Sequence, residues 1–411
     1  MNQHINMTST RRRTSARRPG EMLLDASAAT RILGVTRNTL YAYVSRGLVR
    51  STANPDNPKA SLYVAADIHA LVDRKTRLRR PRTAAATALD FGLPVLKTRL
   101  THFVDDRLCY RTTDAIELSR TATLEEAARL LWNTGSFDPF TGLIFDTGHI
   151  PGWNELSTRF GGAPATDRAC ALLPLLTINA NPYAGQSGET AWRAAARLLL
   201  AVSAACTGVP GRATTPLHKA IAQSLGKPRE ADTIRRALVL LADHELNAST
   251  FAVRVVASTG ARLTNCVLGG LAALSGPRHG AASERARSFL AQVSTPQDAY
   301  RVVGERLEAG ETVPGFGHFV YNGGDPRASE LLSRFTLDPT AAAVQRAVRE
   351  LTGIEPNIDF ALVAFERARA LPAGTALMLF AVARTAGWLA HAFEQRAAGG
   401  IIRPRAEYVM E

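Results

Sequence analysis

Cysteine is scarce in this chain, and the few that occur form no pattern. Cys109, Cys170, Cys206 and Cys266 are scattered over 411 residues without a Cys-x-x-Cys pair. That spacing argues against a zinc site or a disulfide framework and reads as reduced, buried thiols in a cytoplasmic protein. Long uncharged apolar runs are also missing, although 46% of the residues are hydrophobic, so no membrane span is expected. The first twenty residues are arginine-rich, but no apolar segment follows them. This argues against a secretory signal and leaves residues 1–21 as a disordered basic tail. Strand-like alternation is rare throughout.

Acidic residues run short at one end only. Residues 1–82 hold 16 Lys/Arg against 5 Asp/Glu, a net of +11, whereas the remaining 33 basic and 31 acidic residues nearly cancel. A near-neutral body with a basic head suggests a polyanionic partner for the head, most simply nucleic acid.

Within the head, Asp25 or Ser27 can cap a first helix running to Leu33, and Gly34 ends it. Thr36 caps a second helix, Arg37 to Val44, which Gly47 closes. Leu48–Arg50 and Ser61–Val64 then bracket a Pro/Asn loop, as the strands of a wing would. Residues 22–75 resemble the winged helix-turn-helix of the MerR type. That resemblance implies DNA contacts from Arg37, Asn38, Thr39 and Tyr41 at the start of the second helix. Residues 76–89 read as a basic linker in which Arg77, Arg79, Arg80 and Arg82 could meet phosphates or stay solvated, so the possible DNA-binding region spans 22–82. A helical docking module with no DNA role is the other reading of the head.

The body is Ala/Leu/Arg-rich. Apolar residues recur near every 3.6 positions over 124–133, 189–206, 215–224, 229–242, 295–308, 339–351 and 376–396, with Pro/Gly breaks between. The fold class expected is mostly α, with many packed helices.

Two histidines interrupt this pattern in settings that suit a helix interior poorly. His279 lies in Leu274-Ser275-Gly276-Pro277-Arg278-His279-Gly280, and His318 in Val313-Pro314-Gly315-Phe316-Gly317-His318. Gly and Pro there fix the backbone path and remove bulk, so an imidazole can stand close to a ligand. A third segment, Glu355-Pro356-Asn357-Ile358-Asp359-Phe360, sets a carboxylate among apolar residues. Two imidazoles and a carboxylate suffice for general acid–base chemistry near neutral pH.

With Asp243-His244-Glu245-Leu246-Asn247-Ala248-Ser249-Thr250 before them and Asp325-Pro326-Arg327 between them, these segments resemble the citrate synthase family, in order and at plausible spacing. Asp106–Arg111 with Thr123–Glu126, and Ala383–Trp388 with Arg403–Arg405, extend the likeness over roughly 90–411. The resemblance implies a two-domain helical fold, with a large domain over 90–279 and 366–411 and a small domain over 280–365, closing over substrate. It implies condensation of acetyl-CoA with oxaloacetate, then hydrolysis of citryl-CoA to citrate and CoA. Asp359 would be the base, His279 the donor to the enolate oxygen, and His318 the donor to the ketone. His244, Arg327, Arg384 and Arg403 would bind oxaloacetate, Arg403 from the partner subunit of a homodimer. Gly315, Phe316 and Gly317 would face the adenine of CoA. No tightly bound cofactor and no metal is implied; acyl-CoA is a co-substrate. A 2-methylcitrate synthase using propionyl-CoA, or a DNA-binding regulator whose body senses metabolites, remain alternatives, as does reverse cleavage of citryl-CoA.

Several positions depart from the family pattern. Phe319 follows His318 where Arg is usual, and Asn322-Gly323-Gly324 replace basic residues, which bears on CoA phosphate binding. Arg278 stands for a Leu, Ser283 for an Asn, Thr112 for a Gly, and Ala361-Leu362-Val363 for Tyr-Ser-Gly. None removes an implied catalytic side chain. His218 and His391 read as structural, and His102 and His149 as surface or loop residues.

Overall fold

The structure is a computed structural model that describes residues 23–45, 48–55, 57–68, 71, 96–104, 106–177, 188–208, 212–213, 215–321, 323–406 and 408. The tail at 1–21, the linker at 76–89, the helix end at Gly47 and Asn322 lie outside the described residues. The chain divides into two compact units, residues 1–97 and 98–411.

In the first unit, Asp25 accepts the Ala28 N–H at 2.7 Å and caps helix Ala26–Leu33, which ends at Gly34 with φ 59° and ψ 46°. Helix Arg37–Ser45 follows, with Thr36 Oγ1 receiving the Thr39 N–H. Strands Ser51–Asn54 and Asn57–Val64 form an antiparallel hairpin, and the short strand Leu23–Leu24 pairs on the far side of Asn57–Val64. Ala29, Leu33, Leu40, Val49, Tyr63 and Ile68 make the core between helices and sheet. Asp67 grips Arg50 through both Nε and Nη2, at 2.9 and 3.0 Å.

The second unit is built around one helix, Thr375–Ala398, against which helices Leu124–Trp132, Gly188–Thr207, Ala231–Leu241, Ala248–Ser258 and Leu263–Leu274 all pack. By length and composition this helix is long and apolar enough to cross a membrane, where the sequence suggested no such run, and 94% of its apolar window is buried inside the fold. A helix apolar all round needs protein on every side, and here it has it. The expected amphipathic stretches are helices; 124–133, for instance, is Leu124–Trp132, opened by a capping box between Thr123 and Glu126. Helices Ala299–Glu308 and Pro339–Thr352 pack together, as do Pro326–Leu332 and Ile358–Ala368.

A small antiparallel sheet, Thr101–Val104, Arg107–Tyr110 and Thr113–Asp114, has no counterpart in the periodicity. It brings Tyr110 into the core, where its hydroxyl donates to Val239 O at 2.8 Å. Arg111 donates to Leu130 O and Leu131 O at the end of helix Leu124–Trp132. Both contacts tie this sheet to the helices around it.

Candidate active site

His244 lies in the turn between helices Ala231–Leu241 and Ala248–Ser258. Glu245, with φ 54°, breaks the helical path immediately after it. His244 Nε2 meets the Tyr321 hydroxyl at 2.9 Å, and its ring packs edge-on to Phe103 and His318, both 5.2 Å away between centroids.

His279 sits in the turn joining helices Leu263–Leu274 and Ala282–Gln292. The turn closes tightly: a Cβ on Gly280 would stand 2.7 Å from Leu274 O, so only glycine fits. Ser283 fits this packing by donating to Gly280 O at 3.0 Å. His279 Nε2 is 2.7 Å from Ser249 Oγ, which also lies 2.8 Å from Asn247 Oδ1 and receives the Trp388 indole N–H at 3.1 Å. Ser249 donates its one proton to Asn247 Oδ1, which can only accept.

The segments of His318 and Asp359 are stitched to each other. Asn357 N donates to Gly315 O at 2.9 Å, Gly317 N to Glu355 O at 2.9 Å, and Asn357 Nδ2 to Gly317 O at 3.0 Å. Gly315, at φ 87°, passes so close to Phe360 that a Cβ would lie 3.0 Å from the Phe360 Cβ. Asn357 caps helix Ile358–Ala368 by accepting the N–H groups of Asp359 and Phe360, so the Asp359 carboxylate is not spent on the cap. Its Oδ1 is buried without a hydrogen-bond partner. Val320 N donates to His318 Nδ1 at 3.1 Å, which puts the ring proton of neutral His318 on Nε2.

Two buried guanidiniums complete the site. Arg327 is clasped by Asp325, Nε to Oδ1 at 2.9 Å and Nη2 to Oδ2 at 2.8 Å, and Asp325 also accepts the Ile358 N–H at 3.0 Å. Arg384 donates from Nε to Leu241 O at 2.9 Å and lies over the Phe380 ring, and no carboxylate among the described residues is in ion-pair reach of it.

The electrostatics follow from this packing. Burial lifts Asp359 to about 7, against the pull of Arg327 and Arg384. Burial, with Arg384 beside it, drops His279 to about 4; burial and Arg327 do the same to His318. His244 is driven well below its ordinary value by burial, then by Arg327, Arg384 and His318. All three imidazoles are therefore neutral near pH 7, and neutral rings donate without carrying charge into a dry site. Burial brings Arg384 down to about 10; burial also pulls Arg327 down, but Asp325 and Tyr321 together hold it above its usual range. Burial pushes the Tyr321 phenol up to about 12, so it stays protonated.

A family model described as citrate synthase, C-terminal domain, matches residues 89–405. The chain belongs to the citrate synthase family. Among relatives, a putative citrate synthase 2 of Mycobacterium tuberculosis is 40% identical over 195 residues, 44% of this chain and 52% of that protein. Citrate synthase 2 of Bacillus subtilis is 28% identical over 354 residues, 77% of this chain and 94% of that one. A 2-methylcitrate synthase 2 of Corynebacterium glutamicum is 34% identical over 191 residues. The chain spans about half the length of the first of these curated relatives. The solved citrate synthase of Thermotoga maritima superposes with a TM-score of 0.60 at 25% identity, covering 78% of this chain and 94% of that one. The mostly helical citrate synthase fold is thus shared.

Of the residues expected from sequence, His244, His279, His318, Arg327, Asp359 and Arg384 occupy one neighbourhood of the second unit, with the loop Gly315–Gly317 pinned beside Asp359. Arg403 is exposed in the single chain. Arg37, Thr39 and Tyr41 belong to the first unit, where Arg37 Nη2 reaches Ser27 Oγ at 3.4 Å and Tyr41 is 52% exposed; the side chain of Asn38 lies outside the described residues. Sequence reasoning missed Tyr321, Asp325, Ser249, Asn357 and Phe103. The first four stand inside the quoted motifs or three residues beyond them, so their positions were readable, but their partners were not. No group of three or more His, Cys, Asp or Glu side chains among the described residues could hold a metal ion. Phe319 is 63% exposed and stacks on His318, 4.7 Å between ring centroids.

Proposed function

We propose that the body is a citrate synthase-type acyltransferase that condenses an acyl-CoA, acetyl-CoA first, with oxaloacetate and hydrolyses the resulting citryl-CoA. The observation that carries this reading is Asp359: a carboxylate lifted to about 7, with an unpartnered buried oxygen, set near two neutral histidines and two buried arginines. In this reading Asp359 takes a proton from the carbon next to the thioester carbonyl. His279 donates to the carbonyl oxygen as it gains enolate character. The nucleophilic carbon attacks the ketone of oxaloacetate, whose oxygen takes a hydrogen bond from His318 Nε2. Water then attacks the thioester and the thiol of CoA leaves.

Arg384 supports oxaloacetate as the other substrate. A buried cation without a carboxylate is costly, and a dicarboxylate supplies the missing charge. Arg327 and His244 join it, with Arg403 of the partner subunit. Helices Ala248–Ser258 and Leu263–Leu274 are apolar yet leave Phe251, Val255, Val256 and Leu268 only half-buried, which supports a homodimer. The residues of the site fall on both sides of the division 90–279 with 366–411 against 280–365, so closure between these parts would dry it. Gly315, Phe316 and Gly317 take the adenine side of CoA.

Propionyl-CoA differs from acetyl-CoA by one methylene, worth about 1–3 kcal/mol in a pocket, and relatives carry both names. Thiol release from both, side by side with oxaloacetate, tests the reading. Turnover with either supports it, and a folded protein inactive with both removes it.

A second function rests on the first unit. Two short helices joined at Gly34, a following hairpin and the net +11 of residues 1–82 support duplex DNA binding through a MerR-like winged helix-turn-helix, with Arg37, Asn38, Thr39 and Tyr41 toward the bases. Affinity should fall steeply with salt. Equal binding by a chain lacking residues 1–82 would remove this function and leave the enzymatic one standing.

A further inference from the structure

Beneath the site runs a buried polar chain that the proposed reaction does not use. Asp243 and His391 are both fully buried, with His391 Nε2 3.2 Å from Asp243 Oδ2. On the other side of the ring, Arg254 Nη1 lies 3.4 Å from His391 Nδ1. Arg254 is itself held by Glu394 Oε2 at 2.6 Å and Gln395 Oε1 at 2.9 Å. A guanidinium only donates, so His391 Nδ1 must accept, and the ring proton sits on Nε2 facing Asp243. Thr101 Oγ1 donates to the same carboxylate oxygen.

This chain ends at the substrate side. Asp243 precedes His244, and His391 lies seven residues beyond Arg384 on the same helix, two turns along one face. Helix Thr375–Ala398 holds the segment Leu241–Asp243 at three successive points. Arg384 Nε donates to Leu241 O at 2.9 Å, Gly387 N to Ala242 O at 3.0 Å, and His391 Nε2 to Asp243 Oδ2. Gly387 makes this approach possible: a Cβ there would stand 2.5 Å from Ala242 O. Asp243 is also a carboxylate whose field bears on Arg384 without forming an ion pair with it. It offsets that charge and leaves the guanidinium open.

We propose that Asp243, fixed by His391 and Arg254, is a positioning residue that sets His244 and Arg384 together for the carboxylates of oxaloacetate. It touches no reacting atom, and it acts on the keto-acid substrate and not on the acyl-CoA. This rests on the citrate synthase reading given above.

The test uses the full-length protein and two readouts: thiol release at varied oxaloacetate and acyl-CoA, and calorimetric binding of oxaloacetate alone. His391→Leu removes the donor to Asp243. It should raise KM and Kd for oxaloacetate about tenfold, the size of one lost hydrogen bond to a charged group, while KM for acyl-CoA stays within about twofold. His391→Gln, whose amide N–H replaces Nε2–H, should recover most of that loss. Thr101→Val removes the second donor at similar volume and should raise Kd for oxaloacetate a few-fold, which keeps the test alive if His391→Leu does not fold. Equal behaviour of the Leu and Gln variants, or parallel rises in both KM values with a lowered Tm, would overturn the proposal, as would an unchanged Kd in Thr101→Val. If the unaltered protein releases no thiol from any acyl-CoA, the enzymatic reading fails by itself. Calorimetry then still decides whether Asp243 positions a keto-acid site.

Discussion

The Asp325–Arg327 corner and the middle of helix Thr375–Ala398 carry the same side chain at the same depth and treat it oppositely. Arg327 and Arg384 are 2% and 1% exposed. Arg327 has its carboxylate built in, and Asp325 also ties down the start of helix Ile358–Ala368 through the Ile358 N–H. Arg384 has only a carbonyl, an aromatic face and a carboxylate beyond ion-pair distance. One arginine is part of the scaffold and presents what remains of its guanidinium. The other has no carboxylate in ion-pair reach among the described residues. Asp359 feels both and is still lifted to about 7, because burial outweighs their pull.

The comparison breaks most severely at Asp359, where both fields meet. Asp359→Asn should lower kcat by about 10³–10⁴-fold while oxaloacetate binding stays within a few-fold, as thiol release and calorimetry would read. A rate near normal would remove Asp359 as the base. Next in size is the scaffold side. Asp325→Ala leaves a buried guanidinium unpaired and should cost about 3–5 kcal/mol of stability, measured by denaturant unfolding. Arg384→Leu should show the reverse profile: little change in unfolding free energy, but a rise of about 100-fold in KM for oxaloacetate. If the two variants lost stability equally, the distinction between scaffold and site arginine would collapse.

The smallest effect is in pH. The base form of Asp359 is the ionised one, so kcat/KM should climb as pH rises through about 7 and level off above, with His279 and His318 staying neutral down to about 4. The sign for stability is opposite. A carboxyl whose folded pKa is raised from 3.8 to about 7 favours the folded state below pH 4, and that contribution is lost as pH rises through 7. Asp359→Asn should therefore melt above the unaltered protein at pH 8, with the gap closing toward pH 4. Thermal scans at the two pH values check it.

Much of this was legible along the chain, and the gaps have physical causes. The amphipathic stretches became helices because their apolar stripes needed a core to face, as in 339–351, observed as Pro339–Thr352. Ala248–Ser258 and Leu263–Leu274 escaped that reading because they are too evenly apolar to show a stripe. The sheet at 101–114 is short and made by pairing, which no local period encodes. His391 looked structural and is, but its partner is the residue before His244, 148 positions earlier. Phe319 stood out as an odd neighbour of His318; that it stacks on the imidazole needed coordinates.

By itself the sequence determined the helical class, the basic head and the family, and it singled out His244, His279, His318, Arg327, Asp359 and Arg384 as candidates. Residue types, spacing and order are local properties, and local properties survive in one dimension. Only the tertiary structure decided which arginine is paired, which imidazole nitrogen carries the proton, and why Asp359 holds its proton near neutral pH. Each of those depends on burial and on groups brought together from distant parts of the chain. Charge in a dry interior is set by what surrounds it, and the surroundings exist only once the chain has folded.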